Sequence, residues 1–364
     1  MHIVFIAPLP PPVTGQSLAC GLLYEHLEAQ GHQLSHVSMT KNTSGQGLAR
    51  MREIGAALLG MRQKVKTADL IYFNVSESVA GNLKDLLIYL LNFGALDKTI
   101  IHLHGGAGMR LRFADKTSWT SRVNGFFLRR LRGVIILGER HRPTYAGLLP
   151  AEKIHSVPNF AQPFLFVDEE KVSANFANTT PLRLLYLSNF NPGKGHAELL
   201  DAFLSLPPER QAHYELNFAG GFESEEAKAA FLQKIADCPQ IKYHGIVGGD
   251  LKQRLLHEAH VFFLPTYYPY EGQPISILEA YASGTVVVTT DHSGIFDTFA
   301  DGKNGFAVEK RSVDSLRRVL EQLPDQTTRL AEIAQFNRRE ATEKYSTEQH
   351  LRNMERVLFA PATA

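Results

Sequence analysis

Short apolar runs alternate with longer stretches of helical character along this chain, and the pattern is laid down twice. In the first half, runs at residues 2–7, 33–37, 69–73, 99–104, 133–137 and 153–157 read as strands. They alternate with segments suited to helices. One is opened by Ser17 or a neighbour and runs to about Gln30, another covers 46–66 and a third covers 79–93. After residue 181 the pattern restarts, with strands at 182–187, 214–219, 241–244, 261–265 and 285–290. Helices are expected from His196 to about Leu204, with Pro274 in the first turn of another, after Ser312 as N-cap, and from Ser346 to Phe359. Strand–helix–strand order with apolar, β-branched strands predicts α/β units with parallel sheets covered on both faces. Loops at the carboxyl ends of such strands are where ligands bind.

A length of 364 residues fits two domains. Residues 161–181, with two prolines and the acidic run Asp168-Glu169-Glu170, read as the connector. The expected division is 1–165 and 166–345, with a closing helix at 346–359. Cys20 and Cys238 are far apart and match no metal-ligand spacing, which fits a reduced, cytoplasmic setting. The first residues carry no basic region typical of a signal peptide, and the longest apolar stretch, 86–96, is too short to span a bilayer. A net charge of +1 conceals a split: residues 1–165 carry +8 and the remainder −7. The basic half can face an anionic partner or surface, or simply carry solvated helix faces.

Candidate chemistry lies in the strand-end loops. The loop after the first strand contains Gly15 and is no GxGxxG fingerprint; Gly15 permits a turn or a close ligand approach. His104 ends the run Ile101-His102-Leu103-His104, and the following Gly105-Gly106 clears room beside it. Arg110, Arg112, Trp119, Arg122, Phe126, Phe127, Arg129, Arg130 and Arg132 mix basic and aromatic residues. That mixture suits an anionic lipid surface, and equally a core-facing stripe with a solvated basic back. Lys194 stands between Gly193 and Gly195 just before a helix, where a point charge and exposed amides can meet a phosphate. The spacing is not that of a P-loop. Glu271 and Glu279 bracket a helix start that follows a buried strand and an aromatic loop. There, two carboxylates can hold the hydroxyls of a sugar attached to a phosphate.

Assembled, these residues resemble the retaining glycosyltransferase family 4 of the GT-B superfamily. The most specific element is Glu271-Gly272-Gln273-Pro274-Ile275-Ser276-Ile277-Leu278-Glu279, followed by Ala280, Ala282 and Gly284. Lys194-Gly195 is similar to the family's donor-diphosphate loop, His104 to its active-site histidine, and Gly15-Gln16 to part of its first glycine loop. The position that often carries a second phosphate-binding arginine is Asn189 here.

The resemblance implies two Rossmann-like domains facing across a cleft, with the last helix packing back on the first. It implies an acceptor in the first domain, with Gly15, Gln16 and Arg110 as acceptor or phosphate-loop candidates. The second domain would hold a nucleotide-sugar donor, UDP- or GDP-linked, at Asn189, Lys194, Gly195, Glu271, Gly272, Gln273, Pro274, Ile275 and Glu279. His104, Glu271 and Lys194 are the expected catalytic residues, with no metal and no cofactor. A glycan or lipid-linked sugar acceptor of bacterial surface-polysaccharide assembly is expected at the inner face of the cell membrane, and no nucleic acid. Two other readings stay open: a related activity such as nucleotide-sugar 2-epimerase, and a sugar-nucleotide-binding protein without turnover, motivated by Asn189.

Overall fold

The computed structural model describes residues 1–11, 13–38 and 60–360. Two compact units emerge: Met1–Pro158 joined by the chain from His350 onward, and Asn159–Gln349. Each is built on six parallel strands with helices packed on the sheet.

In the first unit the strands are β1 (His2–Ile6), β2 (Gln33–Val37), β3 (Leu70–Asn74), β4 (Thr99–His102), β5 (Gly133–Ile136) and β6 (Ile154–Ser156). Their order is β2-β1-β3-β4-β5-β6. β1, β3, β4 and β5 are almost wholly buried, which is why they read as near-continuous apolar runs rather than alternating ones. One face packs Val4, Ile71, Phe73, Ile101 and Val134. The other packs Ile3, Phe5, Tyr72, Ile100 and Ile135 against Met354 and Leu358 of the last helix, Thr347–Leu358. The chain order reverses between β1 and β3, so the open crevice of this sheet lies at their carboxyl ends.

The second unit repeats the plan with β7 (Leu182–Leu187), β8 (Tyr214–Ala219), β9 (Ile241–Tyr243), β10 (Val261–Leu264), β11 (Val286–Thr290) and β12 (Gly305–Val308), ordered β12-β11-β10-β7-β8-β9. Here the reversal falls between β7 and β10, which pair through Val261↔Leu184 and Phe263↔Tyr186. The loops leaving these two strands are therefore neighbours.

Several expectations change. The unit boundary is Pro158/Asn159, not 165/166, and the chain rejoins the first unit at His350. The stretch read as connector belongs to the second unit and is anchored in its core by Ala161, Leu165 and Val172, although most of its residues are exposed. Asp168 caps a helix Glu169–Phe176 by accepting from the Lys171 amide at 2.7 Å, and Val172 is buried under Gly284. Gly284 has φ +64, and a Cβ there would stand 2.3 Å from Val172 Cγ2, so the glycine both ends its helix and admits the neighbour. Acidity and prolines gave that stretch a linker's composition, while its one deeply buried side chain in the helix, Val172, ties it down.

The strand read over 99–104 stops at His102. Gly15 is the first residue of the helix Gly15–Ala29, capped reciprocally by Thr14 and Ser17, and sits in no turn. Pro274 is the N-cap, one residue outside the helix Ile275–Ala282. β12 and the long helix Thr327–Lys344 have no counterpart in the strand and helix pattern read above. β12 is a four-residue, half-buried edge strand directly behind a turn cluster, too short for its periodicity to register. Of the helix expected at 46–66, residues 60–66 are helical and the remainder lies outside the described residues.

Candidate functional site

The reversal between β7 and β10 brings Lys194 and Glu271 together. β7 delivers the loop 188–195 and β10 the loop 265–274. Gly195, at φ +84, lies directly against the exit of β10: a Cβ there would stand 2.3 Å from the Pro265 carbonyl oxygen. Gly193, at φ +94, packs against Tyr268, and its carbonyl accepts from the Tyr267 amide at 2.7 Å. The two loops are thus stitched by backbone. Lys194 Nζ then donates to Glu271 Oε2 at 2.7 Å and lies 5.0 Å from the Tyr268 ring centre. Both side chains are nearly closed to solvent, at 14% and 9% exposure, so each charge depends on the other.

The Glu271 segment is held in place from β11. Ser293 Oγ donates to the Glu271 carbonyl at 2.6 Å, and the Gly294 amide to the Gly272 carbonyl at 3.0 Å. His292 Nε2 lies 2.7 Å from the Tyr268 carbonyl oxygen, and burial lowers the His292 pKa. Gln273 is buried, its side-chain oxygen accepting from the Asn159 amide at 2.6 Å, while Asn159 Nδ2 donates to the Gln273 carbonyl at 2.8 Å. Pro274 caps the helix with no side-chain acceptor; the Ile277 amide donates to the Pro274 carbonyl at 3.2 Å, which leaves the amides of Ile275 and Ser276 without an intrahelical partner. This is a positive dipole end beside Lys194 and Glu271.

Glu279 lies one turn into that helix, 2% exposed. Its Oε1 accepts from Lys252 Nζ at 2.6 Å, and Lys252 also donates to Gln162 Oε1 at 3.0 Å. Burial raises the Glu279 pKa, and Lys252 acts against that rise. Asn189 is exposed and brings no charge. Three participants escaped the sequence reading. Tyr267 donates to Glu198 Oε1 at 2.6 Å, Lys252 holds Glu279, and Arg311 lies over the Tyr267 ring at 4.7 Å from its centre. Arg311 comes from the turn after β12, and with that strand unread no signal tied it to the aromatic loop.

In the first unit His104 is half-buried, two residues past β4. Its ring lies against His102, centroids 3.9 Å apart, and its Nε2 is 3.4 Å from Tyr72 Oη and 3.7 Å from Cys20 Sγ. Tyr72 Oη in turn lies 2.6 Å from His102 Nδ1. Burial, reinforced by His350, drives the His104 pKa down to about 3, and His350 itself is pushed down to about 4 by burial. His104 is therefore a neutral imidazole at any physiological pH, a hydrogen-bonding group rather than a cation.

Gly105 clears room as its position suggested, yet the occupant is protein. A Cβ there would stand 1.8 Å from Glu77 Oε2 and one on Gly108 2.8 Å from Glu77 Cβ. Glu77, three residues past β3, fills the glycine loop behind His104 and accepts from the amides of Gly108 and Met109. Burial raises its pKa to about 7. Gly15 is exposed and Gln16 half-buried at the helix start, and Arg110 is exposed on the short helix Ala107–Arg112.

The pH consequences of Glu77 and the histidines oppose one another. A carboxyl raised from 4.5 to about 7 contributes stability that is fully present below pH 4.5 and lost as pH rises through about 7. Histidines lowered to about 3 and 4 contribute stability present above pH 6.5 and lost as pH falls through those values. Glu77→Gln removes the first contribution alone. Its stability relative to wild type, from urea unfolding, is expected to improve by about 2–3 kcal/mol between pH 4.5 and 8.5. A pH-independent difference rejects a buried, proton-binding Glu77.

Residues 167–344 match the family model for glycosyl transferases group 1. The chain is 27% identical over 176 residues to the amylovoran biosynthesis glycosyltransferase AmsK of Erwinia amylovora, covering 47% of this chain and 42% of that relative. The chain thus matches less than half the length of that relative. Among solved structures, Anabaena Alr3699/HepE in complex with UDP superposes with a TM-score of 0.75 at 17% identity, covering 99% of this chain and 100% of that one. WaaG, a glycosyltransferase involved in lipopolysaccharide biosynthesis, gives 0.70 at 15% identity over 99% and 100%. At those identities the likeness speaks for the fold, which is GT-B.

Proposed function

We propose, from the premise that this chain belongs through residues 167–344 to the glycosyl transferases group 1 family, that it moves a sugar from a nucleotide-sugar donor to a glycan or lipid-linked acceptor of polysaccharide assembly. The observation that carries the reading is the convergence of Lys194, Glu271 and an uncapped helix start at the β7/β10 reversal. A UDP complex and a UDP-glucose complex are known for HepE, and AmsK acts in amylovoran biosynthesis; both support a nucleotide-sugar donor and a polysaccharide product here.

In this reading the bond between the sugar's anomeric carbon and the β-phosphate oxygen breaks as the acceptor hydroxyl attacks from the same face. The leaving phosphate takes the acceptor's proton, and configuration is retained. Negative charge develops on the diphosphate, where Lys194, Gly195 and the amides from Ile275 stabilise it without a metal. Glu271 and the Gly272–Ile275 backbone orient the sugar, and Glu279 holds the ribose hydroxyls. Neutral His104 offers a hydrogen bond to sugar or acceptor, and Gly15, Gln16 and Arg110 line the acceptor side. With Asn189 uncharged, Arg311 supplies the second cation, swinging from Tyr267.

The test is turnover of a UDP- and GDP-sugar panel by wild type and Arg311→Ala. Transfer or slow donor hydrolysis is expected from wild type, with the donor KM raised about tenfold in the variant, the worth of one charge-assisted contact. Release of a rearranged sugar without acceptor would instead identify an epimerase. No turnover and no donor binding across the panel would leave the reading without support.

A further inference from the structure

The helix Val79–Leu91 is inverted. It buries Asn82 and Asp85 together with Ile88 and Tyr89, and turns aliphatic residues outward. Val79, Leu83, Leu87 and Leu90 are 67%, 62%, 43% and 61% exposed, and Phe93 just beyond is 43% exposed. Their spacing of three and four places them in one stripe.

The inward polar groups are fully engaged. Asp85 Oδ2 accepts from the Ser76 amide at 2.7 Å, and Asn82 Nδ2 donates to Asn124 Oδ1 at 2.9 Å. The helix is therefore locked with its apolar face out, since rotating it inward would bury leucines only by stranding Asn82 and Asp85.

Asn124 belongs to the neighbouring helix Trp119–Leu128, which extends the patch. Phe126 stacks on Phe93 at 5.9 Å, and Trp119, seven residues earlier on the same face, is 76% exposed. Arg130 lies 3.9 Å from the Phe126 ring centre and 5.4 Å from that of Phe93. Arg122, Arg129 and Arg130 are exposed around this edge, and residues 77–132 carry nine Lys or Arg against four Asp or Glu.

Contiguous exposed apolar surface of this kind marks a docking face. We propose that the outer face of helices Val79–Leu91 and Trp119–Leu128 docks on an anionic lipid bilayer. The aliphatic stripe enters the boundary between headgroups and acyl chains, and the arginines meet lipid phosphates. Charge complementarity selects this occupant: an apolar stripe rimmed by arginines matches an interface that is apolar beneath and negative at its surface. No helix among the described residues is long and apolar enough to cross a membrane. The proposal stands on the first unit alone, so its failure leaves the donor chemistry untouched.

Trp119 is the only tryptophan of the chain and lies in the patch, so the full-length protein reports on itself. Emission and acrylamide quenching of Trp119 are followed with phosphatidylcholine vesicles, with and without about one-third phosphatidylglycerol. The expected result is a blue shift and shielding with anionic vesicles only, weakened by salt. Leu83→Ser/Leu90→Ser, both solvent-facing positions, should keep the wild-type circular dichroism and lose partitioning at least tenfold. Indifference to anionic vesicles at low salt overturns the proposal. So does full binding by the double variant, or shielding that grows with protein concentration without vesicles and so assigns the face to a second copy of this chain.

Discussion

Gly195→Ala is expected to destabilise the second unit by about 3 kcal/mol or more, because two penalties coincide there. Its φ of +84 lies where an L-residue is disfavoured by about 1–2 kcal/mol. The added Cβ would also stand 2.3 Å from the Pro265 carbonyl oxygen, a backbone atom at the end of β10 that cannot swing aside. Relief requires the Lys194 loop to lift off β10, which separates Lys194 from Glu271. Gly245 provides the control within the same unit: its φ is +70 and an added Cβ would meet nothing within 4 Å, so Gly245→Ala should show the conformational penalty alone. Urea unfolding of both variants separates the contributions. Equal losses would show that the close approach of the two loops is not what Gly195 secures.

Lys194→Ala is expected to act twice. It leaves the Glu271 carboxylate, 9% exposed, without its cation, and breaking such a pair costs about 3–5 kcal/mol when fully buried. Thr266 Oγ1, 3.3 Å from Glu271 Oε2, offers partial compensation, so about 2–3 kcal/mol is expected here. Glu271→Gln in the same chain should recover most of that stability, since the unpaired charge is gone. Donor affinity and turnover should not recover: loss of the ammonium beside the diphosphate is expected to lower kcat/KM about a hundredfold, or about 2.7 kcal/mol. Recovery of both would make Lys194 a structural counter-ion only.

Much of this arrangement was legible because strands buried on both faces are written as apolar runs, and their ends mark the loops. Lys194 and Glu271 could be placed at strand ends, and their motif context assigned both to one proposed donor site. The bond between them follows from the β7/β10 reversal, a property of strand order that local pattern does not carry. Elements with mixed polarity were lost: the helix Glu169–Phe176 hid behind acidic residues, and β12 behind a turn, taking Arg311 with it. Glu77 was invisible for another reason. Nothing near it in sequence indicates that Gly105 and Gly108, about thirty residues on, are glycines so that its carboxyl can fit. The outward leucines of Val79–Leu91 read simply as a helix, because periodicity reports a face and not which way it points.

Binding of UDP and GDP to wild-type protein and to Lys194→Ala/Glu271→Gln, followed by titration calorimetry, tests the donor site most directly. The account predicts saturable one-to-one binding of one of these nucleotides to the wild type, weakened at least tenfold in the double variant despite its recovered stability. Undiminished binding by the double variant, or no binding of either nucleotide to the wild type, would contradict it.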